Sequence, residues 1–293
     1  DRWSARRVVV VVRVDRRLVP ARGGAAGVTL ASSMRSTVEA LDSRLPTRRG
    51  VTVLIYHRVG GGSSSGVDIE PSVFEAQLDH LVQHHRVLTL DDAVSALGSG
   101  SDAHGVVLTF DDGTADFVEH AVPLLQRFAV PATLYVATSF VDSSTTFPWG
   151  AAPVSWSGLA DAVSTGLVAI GSHTHTHRLL RDASEHEVID EVRRSSDLIA
   201  ERLGVVARHF AYPKAVPGSR AAERVVRSSF VSAALAGNGT NRAANVDLHR
   251  LRRTLVRRSD SAAVFAARAR GGMRLEGSLR STATVFRFRR SSV

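Results

Sequence analysis

Three short, almost wholly apolar runs limit what this chain can become: VTVLIY (Val51–Tyr56), VVLTF (106–110) and ATLYV (Ala132–Val136). Each has the length of a buried strand, and amphipathic stretches lie between and beyond them. Over 74–85 the residues Phe74, Leu78, Leu81 and Val82 share one helical face. Phe117, Ala121, Leu124, Leu125 and Phe128 mark a second helix, with Pro123 either in its first turn or kinking it. A fourth strand is expected over 167–170, stopped by Gly171. Ser184 and Glu187 form a capping-box pattern, and Val188, Val192, Ile199 and Leu203 carry that helix to Gly204. Residues 209–212 read as a strand ended by Pro213, and Asp260 stands where it can cap a last helix running to 270. Strand and helix in alternation imply parallel pairing through crossover helices, and the count and lengths favour a barrel over an open sheet. No glycine-rich phosphate loop follows any strand, which argues against a dinucleotide fold.

At 293 residues the chain can hold one large α/β domain or two small ones. It has no cysteine, so any metal must be held by His, Asp or Glu, and a cysteine nucleophile is excluded. The formal charge is +9, carried by arginines, with Lys214 the only lysine. The basic residues are spread along the chain without the interleaved aromatics that stack bases, so no specific nucleic-acid partner is expected. No apolar run approaches the roughly 18 residues of a membrane span. No signal peptide is evident, which leaves the compartment open and favours the cytoplasm over an extracytoplasmic site. Residues 1–50 read as a poorly specified basic leader, 51–270 as the folded domain and 271–293 as a basic tail. Oligomeric state is not legible.

Two features can carry chemistry. Asp111 and Asp112 directly follow the VVLTF run, and Gly113 lets the chain turn there. In a parallel barrel the C-terminal end of a strand opens onto the active-site face. Adjacent carboxylates at that place need a cation or a proton to offset their repulsion and desolvation. Alone, an Asp-Asp-Gly sequence is a solvated turn. The second feature is His173-Thr174-His175-Thr176-His177, directly after the fourth strand, which offers three imidazoles to zinc or a similar divalent metal. Two of these histidines with Asp112 make a three-ligand site with positions left for water and substrate. The spacing does not say which two bind, or through which ring nitrogen.

In combination these residues resemble a known pattern. Thr109-Phe110-Asp111-Asp112-Gly113 is similar to the first motif of the polysaccharide deacetylases (carbohydrate esterase family four), and His173 to His177 resembles their His-rich second motif. Leu54-Ile55-Tyr56-His57-Arg58-Val59 looks like the opening strand of the subgroup acting on poly-N-acetylglucosamine. Phe210-Ala211-Tyr212-Pro213 looks like that subgroup's third motif, and 247–256 like its late strand. The resemblance covers roughly 51–258 and makes 51–270 the catalytic domain. It implies a distorted (β/α) barrel of about seven parallel strands with the active site at their C-terminal ends. It further implies one divalent metal, zinc first with cobalt or nickel as substitutes, held by Asp112, His173 and His177, and Asp111 as general base toward a metal-bound water. The substrate would be a carbohydrate, bound around Tyr212, Pro213 and Lys214, with the Lys214 backbone N–H at the oxyanion. The reaction implied is removal of N-acetyl groups from an N-acetylglucosamine-type polysaccharide or glycoconjugate.

Departures from the pattern keep alternatives open. Many relatives brace the base with an arginine in the third motif, where this chain has Ala211, and Lys214 and Ala215 stand where an aromatic and a glycine are usual. The general acid is unassigned between His249, in a partial Leu-x-His match, and His57 at the end of the first strand. Trp149 and Trp156 are candidates for a sugar-stacking face. The alternatives are an O-acetyl esterase or small-amide hydrolase on the same site, or a catalytically degenerate glycan-binding protein.

Overall fold

The computed structural model describes residues 49–273. The expected leader and tail therefore lie outside the described residues, apart from 49–50 and 271–273. β1 (Val51–Tyr56) leads into two short strands, β2 (Arg58–Val59) and β3 (Asp68–Ile69), which pair only with each other. Then come β4 (Gly105–Phe110), β5 (Ala132–Val136), β6 (Val168–Ser172), β7 (His209–Ala211), β8 (Ser232–Ala236) and β9 (Leu251–Leu255). β1 and β4 to β9 form a closed barrel of seven strands, all pairs parallel. β1 closes the ring, pairing with β4 from Val51↔Gly105 to Tyr56↔Phe110 and with β9 from Val53↔Arg253 to Ile55↔Leu255.

Side chains alternate across each strand, and two apolar clusters record that alternation. Val51, Val53, Val107, Tyr135, Ala211 and Ala234 pack together, with Leu90, Val94 and Leu97 of the helix Leu90–Gly98 against them. Leu54, Tyr56, Leu108, Phe110 and Phe210 belong to the larger cluster, with residues of the outer helices such as Phe74 and Leu78. Each large apolar side chain buried this way contributes about 1.5–3 kcal/mol. Strands apolar on both faces are therefore a requirement of this architecture, and that is why they are so visible in the sequence.

Several elements differ from expectation for local reasons. The helix expected over 117–128 is a π-helical turn, Phe117–Ala121, followed by an α-helix, Val122–Phe128, and Pro123 sits in the first turn of the latter, where its missing N–H costs nothing. Gly171 does not stop the fourth strand. β6 continues through it to Ser172, and the residue is glycine because a Cβ there would lie 2.6 Å from the Tyr135 ring and 2.8 Å from the His209 carbonyl. The cap of the last helix, Ala262–Ala269, is Ser261, whose side chain accepts from the Val264 amide. Asp260 instead accepts from the Arg257 amide and, buried, from Arg268. The capping box at Ser184 and Glu187 starts the helix Glu185–Leu203, which ends at Gly204 in the left-handed conformation.

Away from the strand C-termini, His80, His84 and His85 gather at the end of the helix Pro71–His84, with His80 and His84 stacked 4.4 Å apart. Burial first, and then the charges of His80, His84, Arg270 and His104, push the His85 imidazole down to about 4. The unfolded chain protonates this ring near 6.5, so the native state loses stability relative to it as pH falls from about 6.5 to about 4. The melting temperature of the wild type minus that of His85→Gln is expected to fall across that window. A gap that stays constant would show that His85 titrates alike in both states.

Candidate active site

Three loops at the C-terminal ends of neighbouring strands assemble the site. Asp111 and Asp112 leave β4, the Asp111 amide donating to the Tyr56 carbonyl of β1 and the Asp112 carbonyl accepting from Ala137 after β5. Asp112 holds a positive φ of 77° and is followed by Gly113 at 92°. Thr174 and His177 also hold positive φ, 66° and 59°. Left-handed backbone at a non-glycine residue costs of order 1 kcal/mol and persists where surrounding contacts over-determine it. Here two prospective ligands, Asp112 and His177, carry that strain.

The side chains converge. Asp112 Oδ1 lies 3.5 Å from His173 Nε2 and 3.3 Å from His177 Nε2. The three ligand atoms fall within 4.8 Å of one another, and among the described residues no other such His, Asp or Glu group is found. His173 is fully buried, and its Nδ1 donates to the Ala211 carbonyl at 2.8 Å, which fixes the ring with Nε2 toward Asp112. Two imidazole Nε2 atoms and one carboxylate fit a divalent metal. His175, the third histidine of the loop, points elsewhere, its Nδ1 3.0 Å from Thr138 Oγ1.

Burial would raise Asp112, but hydrogen bonds from His173 and His177 outweigh it and hold the carboxyl well below its ordinary range. Asp111 has a different partner. Arg253 of β9 donates from Nη1 to Oδ1 at 2.6 Å and from Nη2 to Oδ2 at 2.8 Å, with neither side chain open to solvent. The guanidinium carbon lies 5.1 Å above the Tyr135 ring, and Nη1 also reaches Thr109 Oγ1 at 3.2 Å. Burial pushes the Asp111 carboxyl up, but the charge and hydrogen bonds of Arg253, together with the His173 and His57 rings, outweigh it and hold the carboxyl below its ordinary range. Arg253 therefore supplies the brace that Ala211 cannot, from a strand about forty residues later. Sequence reasoning missed it, although 247–256 was singled out.

A second unanticipated residue is Glu191, from the helix Glu185–Leu203. Its Oε2 accepts from the His175 and Thr176 amides at 2.9 and 2.8 Å, and its Oε1 from Thr176 Oγ1 at 2.6 Å. Those amides lie between the two ligand histidines, so Glu191 fixes the loop that spaces them.

The remaining expected site residues divide. His57 follows β1, acts electrostatically on both Asp111 and Asp112, and has a buried Nδ1 without a hydrogen-bond partner. His249 is corrected. It lies before β9, at the opposite end of the barrel, with its Nε2 bonded to the Phe230 carbonyl at 2.8 Å. Tyr212 and Pro213 are both buried, and Tyr212 packs edge-on against Phe210. They shape the turn that presents Lys214. That turn is closed by the Ala215 and Val216 amides, with Lys214 and Ala215 at φ of 53° and 54°.

The polysaccharide deacetylase family model matches residues 99–228, which hold both aspartates, the histidine loop and the Tyr212 turn. The solved IcaB from Ammonifex degensii superposes with a TM-score of 0.68 at 26% identity, covering 77% of this chain and 98% of that one. This is a polysaccharide deacetylase fold of carbohydrate esterase family four. A Streptococcus pyogenes deacetylase, PplD, solved in complex with acetate, shares that fold with a TM-score of 0.67 at 22% identity, covering 76% of this chain and 99% of its own. The poly-beta-1,6-N-acetyl-D-glucosamine N-deacetylase of Staphylococcus aureus is 27% identical over 169 residues, 54% of this chain and 58% of that protein. The match thus spans less than two thirds of that relative. Among the described residues no helix is long and apolar enough to cross a membrane.

Breaking a buried ion pair by removing one partner typically costs about 3–5 kcal/mol. Arg253→Met is therefore expected to lower unfolding free energy by roughly that amount in urea titration. Glu191→Ala is expected to weaken divalent-metal binding about tenfold or more while the fold persists, read by competition with a chromophoric chelator. Unchanged affinity would show that the histidine loop holds its shape without Glu191.

Proposed function

We propose that the chain hydrolyses the N-acetyl group of an N-acetylglucosamine-type polysaccharide or glycoconjugate. The observation that carries this reading is the division of labour between adjacent carboxylates, Asp112 facing two imidazole nitrogens while Asp111 is clamped by Arg253. A structural turn has no need of such a division. A base beside a metal site does.

The donor set of two imidazoles and one carboxylate favours zinc, which when bound at Asp112, His173 and His177 would act as a Lewis acid toward water and the acetyl carbonyl. Asp111, ionised and unable to swing because both oxygens are bonded to Arg253, accepts the proton of the attacking water. The Lys214 amide donates to the oxyanion that develops as the carbonyl carbon becomes tetrahedral. As the C–N bond breaks, the leaving nitrogen takes a proton from His57. Acetate and a free amine are the products. The N-acetylglucosamine substrate is supported by the likeness to the staphylococcal relative and by the opening-strand motif around His57.

Acetate release from N-acetylglucosamine oligomers, with zinc and with chelator, tests this. Zinc-dependent release is expected in the wild type. Asp112→Ala should lose both zinc and activity. Asp111→Asn should keep zinc and lose about 10²- to 10⁴-fold in turnover. Full turnover in Asp111→Asn would remove Asp111 as the base.

A further inference from the structure

The described surface leaves one large aromatic side chain exposed. Trp149 is 44% exposed, whereas Phe147 beneath it is 1% exposed. The indole stacks on Phe147 at 4.8 Å and 20°, and Phe147 stacks in turn on Phe140 at 4.4 Å and 25°. The turn that carries Trp149 is closed by hydrogen bonds from the Gly150 amide to the Phe147 carbonyl and from the Phe147 amide to Ala151. On its inner side the indole meets the His177 ring at 5.5 Å, nearly edge to face.

This stack is fastened to the histidine loop. Phe140 belongs to the helix Thr138–Ser143, whose Thr138 and Ser139 amides donate to the Thr174 and His175 carbonyls. The indole is thereby held in register with the Asp112, His173 and His177 cluster. An exposed tryptophan with one face covered and its position fixed loses little freedom when a ligand covers the rest. Trp156 lacks these properties. It starts the helix Trp156–Ser164, is partly buried, and its Nε1 donates to Asp142.

Resting on the proposed deacetylation, we infer that Trp149 is the platform on which the sugar ring stacks beside the metal cluster, and that it selects gluco-configured hexosaminides. The physical reason is the shape of the ring. In a β-linked gluco ring every substituent is equatorial, so a continuous C–H face can lie on the indole. An axial hydroxyl at C4, as in the galacto configuration, places a polar group out of that plane and reduces the apolar contact. A small acetyl ester has no such face and gains nothing from Trp149.

The test is a calorimetric titration of the metal-free protein with N-acetylglucosamine tetramer, so that binding is read without turnover. Trp149→Ala is expected to weaken binding about tenfold and Trp149→Phe much less. The wild type should bind N-acetylgalactosamine oligomers more weakly than their gluco counterparts, and Trp149→Ala should narrow that difference. A parallel assay follows zinc-dependent hydrolysis of 4-nitrophenyl acetate by the wild type, which reads the site without a sugar ring. Equal tetramer affinity in wild type and Trp149→Ala would overturn the inference and leave the deacetylase reading intact. No tetramer binding by the wild type, with ester hydrolysis retained, would overturn the glycan substrate and the inference together.

Discussion

Two neighbouring carboxylates withdrawn from water at the mouth of a barrel impose the condition that the rest of this structure meets. Each oxygen has lost hydration, and the two charges repel across a single peptide unit. Asp111 is compensated by a bidentate guanidinium and Asp112 by two imidazoles. Much of the surrounding architecture follows from delivering those partners. Arg253 must come from a strand adjoining β1, the Tyr135 ring must lie against it, and the histidine loop must be drawn in and pinned.

The parts of this arrangement that are contiguous in the chain were legible before the structure. Strands buried on both faces announce themselves as apolar runs, and the Asp111–Asp112 pair and the histidine loop are local sequences whose residue types limit their chemistry. They favour a barrel over an open sheet, while the count of about seven strands is implied by the resemblance to the deacetylases and matches the seven observed. Partners that meet only through tertiary structure were hidden. Arg253 pairs with an aspartate 142 positions away and is one arginine among many in a chain rich in them. Glu191 sits on a helix whose charged residues mostly face solvent, and nothing local marks the one turned inward. β8, SAALA, has too little apolar bulk to stand out. His249 misled because a histidine after a leucine carries no information about which end of the barrel it occupies.

Charge and conformation are coupled at the site. Asp112 and His177 project from left-handed backbone, so their direction is set by the chain as well as by rotamer choice. Such positions are held by what surrounds them, the Ala137 amide on the Asp112 carbonyl in one case and the Glu191-bound turn leading to His177 in the other. The Phe140, Phe147 and Trp149 stack extends the same rigid unit to the rim. Ligand geometry and the wall beside it therefore share one set of supports.

β1 lies between β4, which carries Asp111, and β9, which carries Arg253. The clamp on Asp111 thus spans the seam where the first strand of the barrel meets the last. During synthesis both aspartates and the histidine loop emerge well before residue 253, yet the bidentate guanidinium cannot reach Asp111 until β9 docks. The Asp111 clamp is in this sense a closing event, absent from every partial chain and made when the ring is complete.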